Sequence, residues 1–192
     1  MSTRLSRSFY SRRTLEVARD LLGCFLVHDT PAGTAGGMIV ETEGYLGPGD
    51  PASHARFGPT PRAEIMFGTP GAAYVYFIYG MHYMFNVVTD PSGTAGAVLV
   101  RALEPRYGLD VMEVRRRMDD RMLLTSGPAR LCQALAINVE QNGADLCSGP
   151  LGIEKHVSFA DEEVETTPRI GVVESAGEPY RFLVKGNQYV SR

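Results

Sequence analysis

The chain has 192 residues, 44% of them hydrophobic and 21% charged, with a formal net charge of −3; this fits one soluble globular domain over residues 1–192 with a full core, two domains being possible but not required. Its three cysteines, Cys24, Cys132 and Cys147, make no C-x-x-C pair and no even set, so neither a disulfide framework nor a thiolate zinc site is expected, and a reducing cytoplasm fits. The apolar stretch 72–88 is interrupted by Tyr74, Tyr76, Tyr79, Gly80 and His82, which excludes a membrane span, and residues 1–13 lack the apolar core of an export signal.

In chain order, apolar residues at three- and four-residue spacing predict a helix over 14–22, with Gly23 closing it. Short apolar runs at 24–28 and 37–43 read as paired strands. Residues 44–61 are rich in Gly, Pro, Asp and Ser and read as a long loop, of the kind that carries function in compact domains. Aromatic and β-branched residues at 72–78 and 84–89, with Tyr-Gly-Met-His between them, and an apolar run at 97–102 predict an antiparallel meander. Helices are expected over 109–118 and 128–137, the second with Pro128 in its first turn. The acidic stretch 154–167 reads as a surface loop, followed by closing strands at 169–173 and 180–184.

Glu41 and Glu43 share one face of a strand because side chains two apart point the same way. Two acids so placed are ordinarily the wet side of the strand. At the mouth of a loop holding Tyr45 and His54, however, a carboxylate can take a proton from water or stabilise a positively charged sugar. Tyr74, Tyr76, Tyr79 and Tyr83 crowd the predicted hairpin; either they are sheet core with phenols at the rim, or they stack on and wedge beside a flat aromatic ligand. Arg101, between apolar neighbours, needs an anionic partner, which is Glu43, Glu104 or a phosphate. The only lysines, Lys155 and Lys185, lie away from these segments, which favours water over an amine as nucleophile. No H-E-x-x-H, Walker or G-x-G-x-x-G string occurs, so no metal or nucleotide cofactor is expected. Negative net charge argues mildly against a nucleic-acid partner, while the preference for Arg over Lys suits bidentate phosphate contacts.

The strings E-T-E-G-Y-L-G-P (41–48), S-H-A-R (53–56), T-P-R (60–62), Y-V-Y-F-I-Y-G-M (74–81), R-A-L-E-P (101–105) and G-P-A-R-L-C-Q-A-L-A-I-N (127–138) together resemble the alkyladenine (3-methyladenine, methylpurine) DNA glycosylase family. The resemblance runs from residue 15 to residue 186. It implies a mixed α+β domain whose curved antiparallel sheet, flanked by helices, carries a protruding β-hairpin that inserts into duplex DNA. It further implies a monomeric, cofactor-free, metal-free enzyme of the cytoplasm or nucleoid, with no membrane association. Such an enzyme flips a damaged purine (3-methyladenine, 7-methylguanine, hypoxanthine or ethenoadenine) from the duplex and hydrolyses its N-glycosidic bond, leaving an abasic site.

By matching motif, Tyr79 is the wedge with Met81 beside it, Tyr45 and Tyr76 stack on the extruded base, and His54 touches its edge. Asn86 matches the position that disfavours the 2-amino group of guanine. Glu43 matches the general base for the attacking water, which Arg101 and the backbone carbonyl of Ile170 also hold. Two other readings remain open on the residues alone: a non-catalytic binder of damaged or single-stranded nucleic acid, which needs the tyrosines and Arg101 but not Glu43, and the substrate-binding domain of another enzyme class.

Overall fold

The computed structural model of the protein describes residues 3–173 and 177–191. Among these, nine strands form one sheet: β1 (Thr3–Arg4), β2 (Phe25–Thr30), β3 (Gly33–Leu46), β4 (Ala73–Ile78), β5 (His82–Val88), β6 (Gly96–Tyr107), β7 (Leu151–Lys155), β8 (Val164–Thr167) and β9 (Arg181–Val184). The α-helices are α1 (Arg7–Tyr10), α2 (Thr14–Asp20), α3 (Leu109–Arg116) and α4 (Pro128–Ala134). The main strand order is β1-β7-β2-β3-β6-β5-β4, with β9 pairing both β3 and β8, and every pairing is antiparallel. The mixed α+β class, the first hairpin and the β4–β5–β6 meander are as the sequence predicts. No helix among the described residues is long and apolar enough to cross a membrane.

Period-two alternation gives this sheet two different faces. On one face Ala73 and Val75 of β4, Phe85 and Val87 of β5, and Val98, Val100 and Ala102 of β6 join the main buried cluster. Val17, Ala18 and Leu21 from the α2 region, Met112 of α3 and Leu131 of α4 complete that cluster. Thr42 also faces this side, donating its hydroxyl to the Ala18 carbonyl at 2.7 Å. Gly44, next on the same face, backs onto Leu15: a Cβ there would lie 2.6 Å from the Leu15 Cδ2. On the opposite face Tyr74, Val88 and Ala97 form a smaller cluster with Ala55, Ala63 and Met66, and Tyr45 and Tyr76 pack against it. The loop after β3 is therefore pinned by its own small apolar residues over one face of the meander.

Several expectations are corrected. The strand carrying Glu43 does not end there: β3 continues to Leu46, because β6 pairs with it as far as Leu46↔Gly96 and β9 pairs Glu43 with Arg181 on the other edge. Flanked by strands on both sides, Glu41 and Glu43 are fully buried and are not the wet side of the sheet. The acidic stretch is not all loop. It holds the end of β7, a 3-10 turn at Asp161–Glu163 and β8, since alternation at 164–167 is too short to stand out between acids. Residues 169–173 are irregular and not a strand, with Arg169 turned inward to Asp50.

Candidate active site

The β4–β5 hairpin turns at Tyr79 and Gly80, both left-handed, with φ of 54° and 68°. Glycine adopts this conformation freely, but a tyrosine does so at a cost of roughly 1 kcal/mol. Tyr79 is 79% exposed and Met81 69% exposed. The turn thus holds two large apolar side chains out in water on a rigid ribbon.

Beneath the tip, on the smaller-cluster face, lies a cavity of about 370 Å³ whose lining includes Tyr45, His54, Tyr76, Tyr79, Asn86, Arg101 and Ile170. Tyr76, Asn86 and Arg101 are brought there by alternation along β4, β5 and β6, so residues far apart in sequence share one wall. Each of the two phenols that sequence reading assigned to stacking has a guanidinium on its ring: Arg169 lies 4.7 Å from the Tyr45 centroid and Arg62 lies 4.9 Å from that of Tyr76. Both rings line the cavity, and neither arginine does; each cation adds a cation–π contact that holds its ring in place.

Arg169 is fixed by a buried bidentate pair with Asp50, at 2.7 and 2.8 Å, and by the Gly44 carbonyl at 3.0 Å. Burial opposes the charge on Asp50, but the Arg169 hydrogen bonds hold its carboxyl below the usual range. These contacts tie Arg169 to the end of β3 and to the loop after it. Sequence reading missed both residues because nothing in their spacing joins positions 50 and 169.

The His54 Nδ1 lies 2.8 Å from the Tyr74 hydroxyl, and its ring meets Tyr76 edge to face at 4.7 Å. Burial, with Arg62 and Arg56 nearby, pushes the His54 pKa down to about 4. The imidazole is therefore neutral at pH 7. Burial, with the neighbouring Tyr74 next in weight, pushes the Tyr76 hydroxyl up to about 12, and burial with Glu43 beside it raises Tyr45 further. Both phenols remain uncharged rings. Asn86 is buried and donates its side-chain amide to the Tyr74 carbonyl at 3.1 Å.

Glu43 lies behind this wall. Its Oε1 accepts from the Ile170 backbone N–H at 2.7 Å, and its Oε2 accepts from the Tyr45 hydroxyl at 2.8 Å and from Arg101 Nη1 at 3.2 Å. The structure therefore shows Ile170 donating its amide to the carboxylate, a contact that sequence reading did not foresee. All three donors belong to cavity-lining residues, so the carboxylate sits one hydrogen bond from the cavity. Of the partners considered for Arg101, Glu43 is found. Glu41 is found as well, at 3.0 Å from Arg101 Nε, while Glu104 pairs with Arg106. Among the described residues no group of three His, Cys, Asp or Glu is placed to hold a metal.

The site thus joins a buried carboxylate, a cavity lined by aromatic rings and an exposed apolar hairpin tip. The family described as Methylpurine-DNA glycosylase (MPG) matches residues 8–188, and the chain belongs to that family. It is similar to a protein of Methanoculleus marisnigri at 50% identity over 191 residues, covering 98% of each chain, and to one of Carboxydothermus hydrogenoformans at 51% over 189 residues with the same coverage. Both relatives are named, by inference, 3-methyladenine DNA glycosylase. The protein is thus a DNA-repair hydrolase acting on N-glycosyl bonds.

Proposed function

We propose that this enzyme is a monofunctional glycosylase of base excision repair that acts as a monomer in the cytoplasm. It extrudes an alkylated or deaminated purine from duplex DNA into the slot between Tyr45 and Tyr76 and cleaves its glycosidic bond with a water activated by Glu43. The observation that supports this reading is the cavity itself, with Tyr45, Tyr76 and Arg101 in its wall and Glu43 one hydrogen bond behind them.

Insertion of Tyr79, with Met81 beside it, fills the gap left in the stack, and its strained, exposed position keeps it available at no further ordering cost. Extrusion costs a few kcal/mol and least at a damaged or mispaired base, which supplies part of the selectivity. Stacking on the two tyrosines returns about 1–3 kcal/mol per base. His54, neutral, meets the edge of the base, and Asn86 restricts its 2-position.

In the chemical step the C1′–N bond breaks and its electron pair leaves with the purine. An N-alkylated cationic base departs neutral; a neutral base takes up a proton from water. The oxocarbenium-like sugar that develops is stabilised by the Glu43 carboxylate. The water attacks C1′ and gives its proton to Glu43, and the sugar keeps its new hydroxyl. For this, the Tyr45 hydroxyl must release Glu43 Oε2 when a base enters, and the water takes its place between the carboxylate and the Ile170 backbone. The test is release of free base from duplexes holding 3-methyladenine or hypoxanthine, in the presence of a chelator. Release with an abasic strand as product is expected. Tight lesion binding without release would leave only a binding module.

A further inference from the structure

The carboxylate beside Glu43 on the same strand face is Glu41, to which the proposed reaction assigns nothing. It is fully buried. Its Oε1 accepts from Arg101 Nε at 3.0 Å, Arg181 Nε at 2.7 Å and the Ser191 hydroxyl at 2.8 Å, and its Oε2 accepts from the Ser191 backbone N–H at 2.6 Å. Two carboxylates, Glu41 and Glu43, and two guanidiniums, Arg101 and Arg181, thus meet in one cluster.

Alternation along β6 turns Arg101 to the cavity side, but the strand ladder does not fix where its guanidinium points. Between β3 and β6 the register runs Ile39↔Leu103, Glu41↔Ala102, Thr42↔Val100, leaving Val40 and Arg101 unmatched. Irregularities of this kind re-aim a side chain and recur beside active sites. Arg101 is set by side-chain contacts instead: Nε on Glu41, Nη1 on Glu43 and Nη2 on the Ser191 hydroxyl at 3.4 Å.

The alternative geometry open to Arg101 is a two-pronged pair with Glu43, which is the stronger arrangement for a guanidinium and a carboxylate. With the Ile170 N–H on Oε1 and the Tyr45 hydroxyl on Oε2, that second prong would take the fourth and last acceptor position of the carboxylate, the one on Oε1 that is otherwise open to a water. We propose that Glu41, clasped by Ser191 near the chain's end, is a positioning residue that holds Arg101 to a single contact with Glu43 and so keeps the carboxylate available. Ser191 reaches this point from the far side of Arg101, where it lines a second cavity of about 530 Å³ with Ser126, Arg130 and Gln188. Arg101 borders both cavities. This role rests on the proposed hydrolysis by Glu43.

The experiment measures single-turnover excision rate and affinity for a hypoxanthine duplex in Glu41→Gln and Ser191→Ala, each in the native background and with Arg101→Lys. Lysine keeps the charge but has no Nε to hold. Glu41→Gln is expected to slow excision roughly 10- to 100-fold with affinity unchanged. Ser191→Ala, which keeps the backbone contact and carries the test should Glu41→Gln not fold, is expected to slow it about 2- to 10-fold. Neither change should slow the Arg101→Lys enzyme further. Wild-type rates in both single variants, or losses that multiply with Arg101→Lys, or affinity falling in step with rate, would overturn the assignment. An inactive wild-type protein would instead overturn the reaction on which it rests.

Discussion

The Tyr45 hydroxyl donates to Glu43 Oε2 at 2.8 Å, so the ring proposed to grip the base also caps the carboxylate proposed to cleave it. The two roles separate by substitution. Tyr45→Phe keeps the stacking face and frees the Glu43 oxygen, so its single-turnover excision rate is expected at or above that of the wild type. Tyr45→Ala loses a stack worth about 1–3 kcal/mol, so roughly 10- to 100-fold in lesion affinity. A Phe variant as impaired as the Ala variant would show that the hydroxyl, not the ring, matters.

Tyr79 pays a conformational cost at the hairpin tip, with φ of 54° and 79% of its surface in water. Tyr79→Gly removes that strain along with the ring. Its Tm is expected to be no lower than that of the wild type, while excision of hypoxanthine from a duplex falls sharply. A lower Tm would mean that the ring is structural, and an unchanged excision rate would remove it from the role of wedge.

The Asp50–Arg169 pair is buried at both ends and holds the guanidinium that contacts the Tyr45 ring. Asp50→Asn leaves a buried guanidinium without its anion, a change that costs about 3–5 kcal/mol. For a chain of this size that corresponds to a Tm lower by on the order of 10 °C. Calorimetry on the variant checks it; a shift within about 2 °C would show that the pair is dispensable.

His54 is neutral in the folded protein because burial, then Arg62 and Arg56, push its pKa down to about 4 from 6.5. Below pH 6.5 the unfolded chain binds a proton that the folded chain refuses, so stability is lost as pH falls from about 6.5 toward about 4. His54→Gln is expected to flatten the dependence of Tm on pH across that window. An equally steep slope in the variant would place the titrating group elsewhere.

Much of the fold was legible because local signals agreed with it. Alternation at 72–78, 84–89 and 97–102 predicted the meander, and the shared face of Glu41, Glu43 and Tyr45 follows from a period of two. What stayed hidden was long-range. No local pattern reveals that residues 181–184 pair beside Glu43, which converts a supposed wet edge into a buried centre. The register irregularity at Arg101, the Asp50–Arg169 pair and the Ser191 contacts with Glu41 likewise join segments that no local pattern connects. Arg62 was visible only as part of the T-P-R string, and its place on the Tyr76 ring needed the loop's packing through Ala55, Ala63 and Met66.

Glu43 is the group proposed to activate water, and Glu43→Gln tests that role most directly, because the amide keeps size and hydrogen-bonding reach but cannot accept the proton. Single-turnover release of hypoxanthine from a duplex should fall by roughly 10²-fold or more, with affinity for the same duplex retained. Excision by the Gln variant at a rate near that of the wild type would contradict the account.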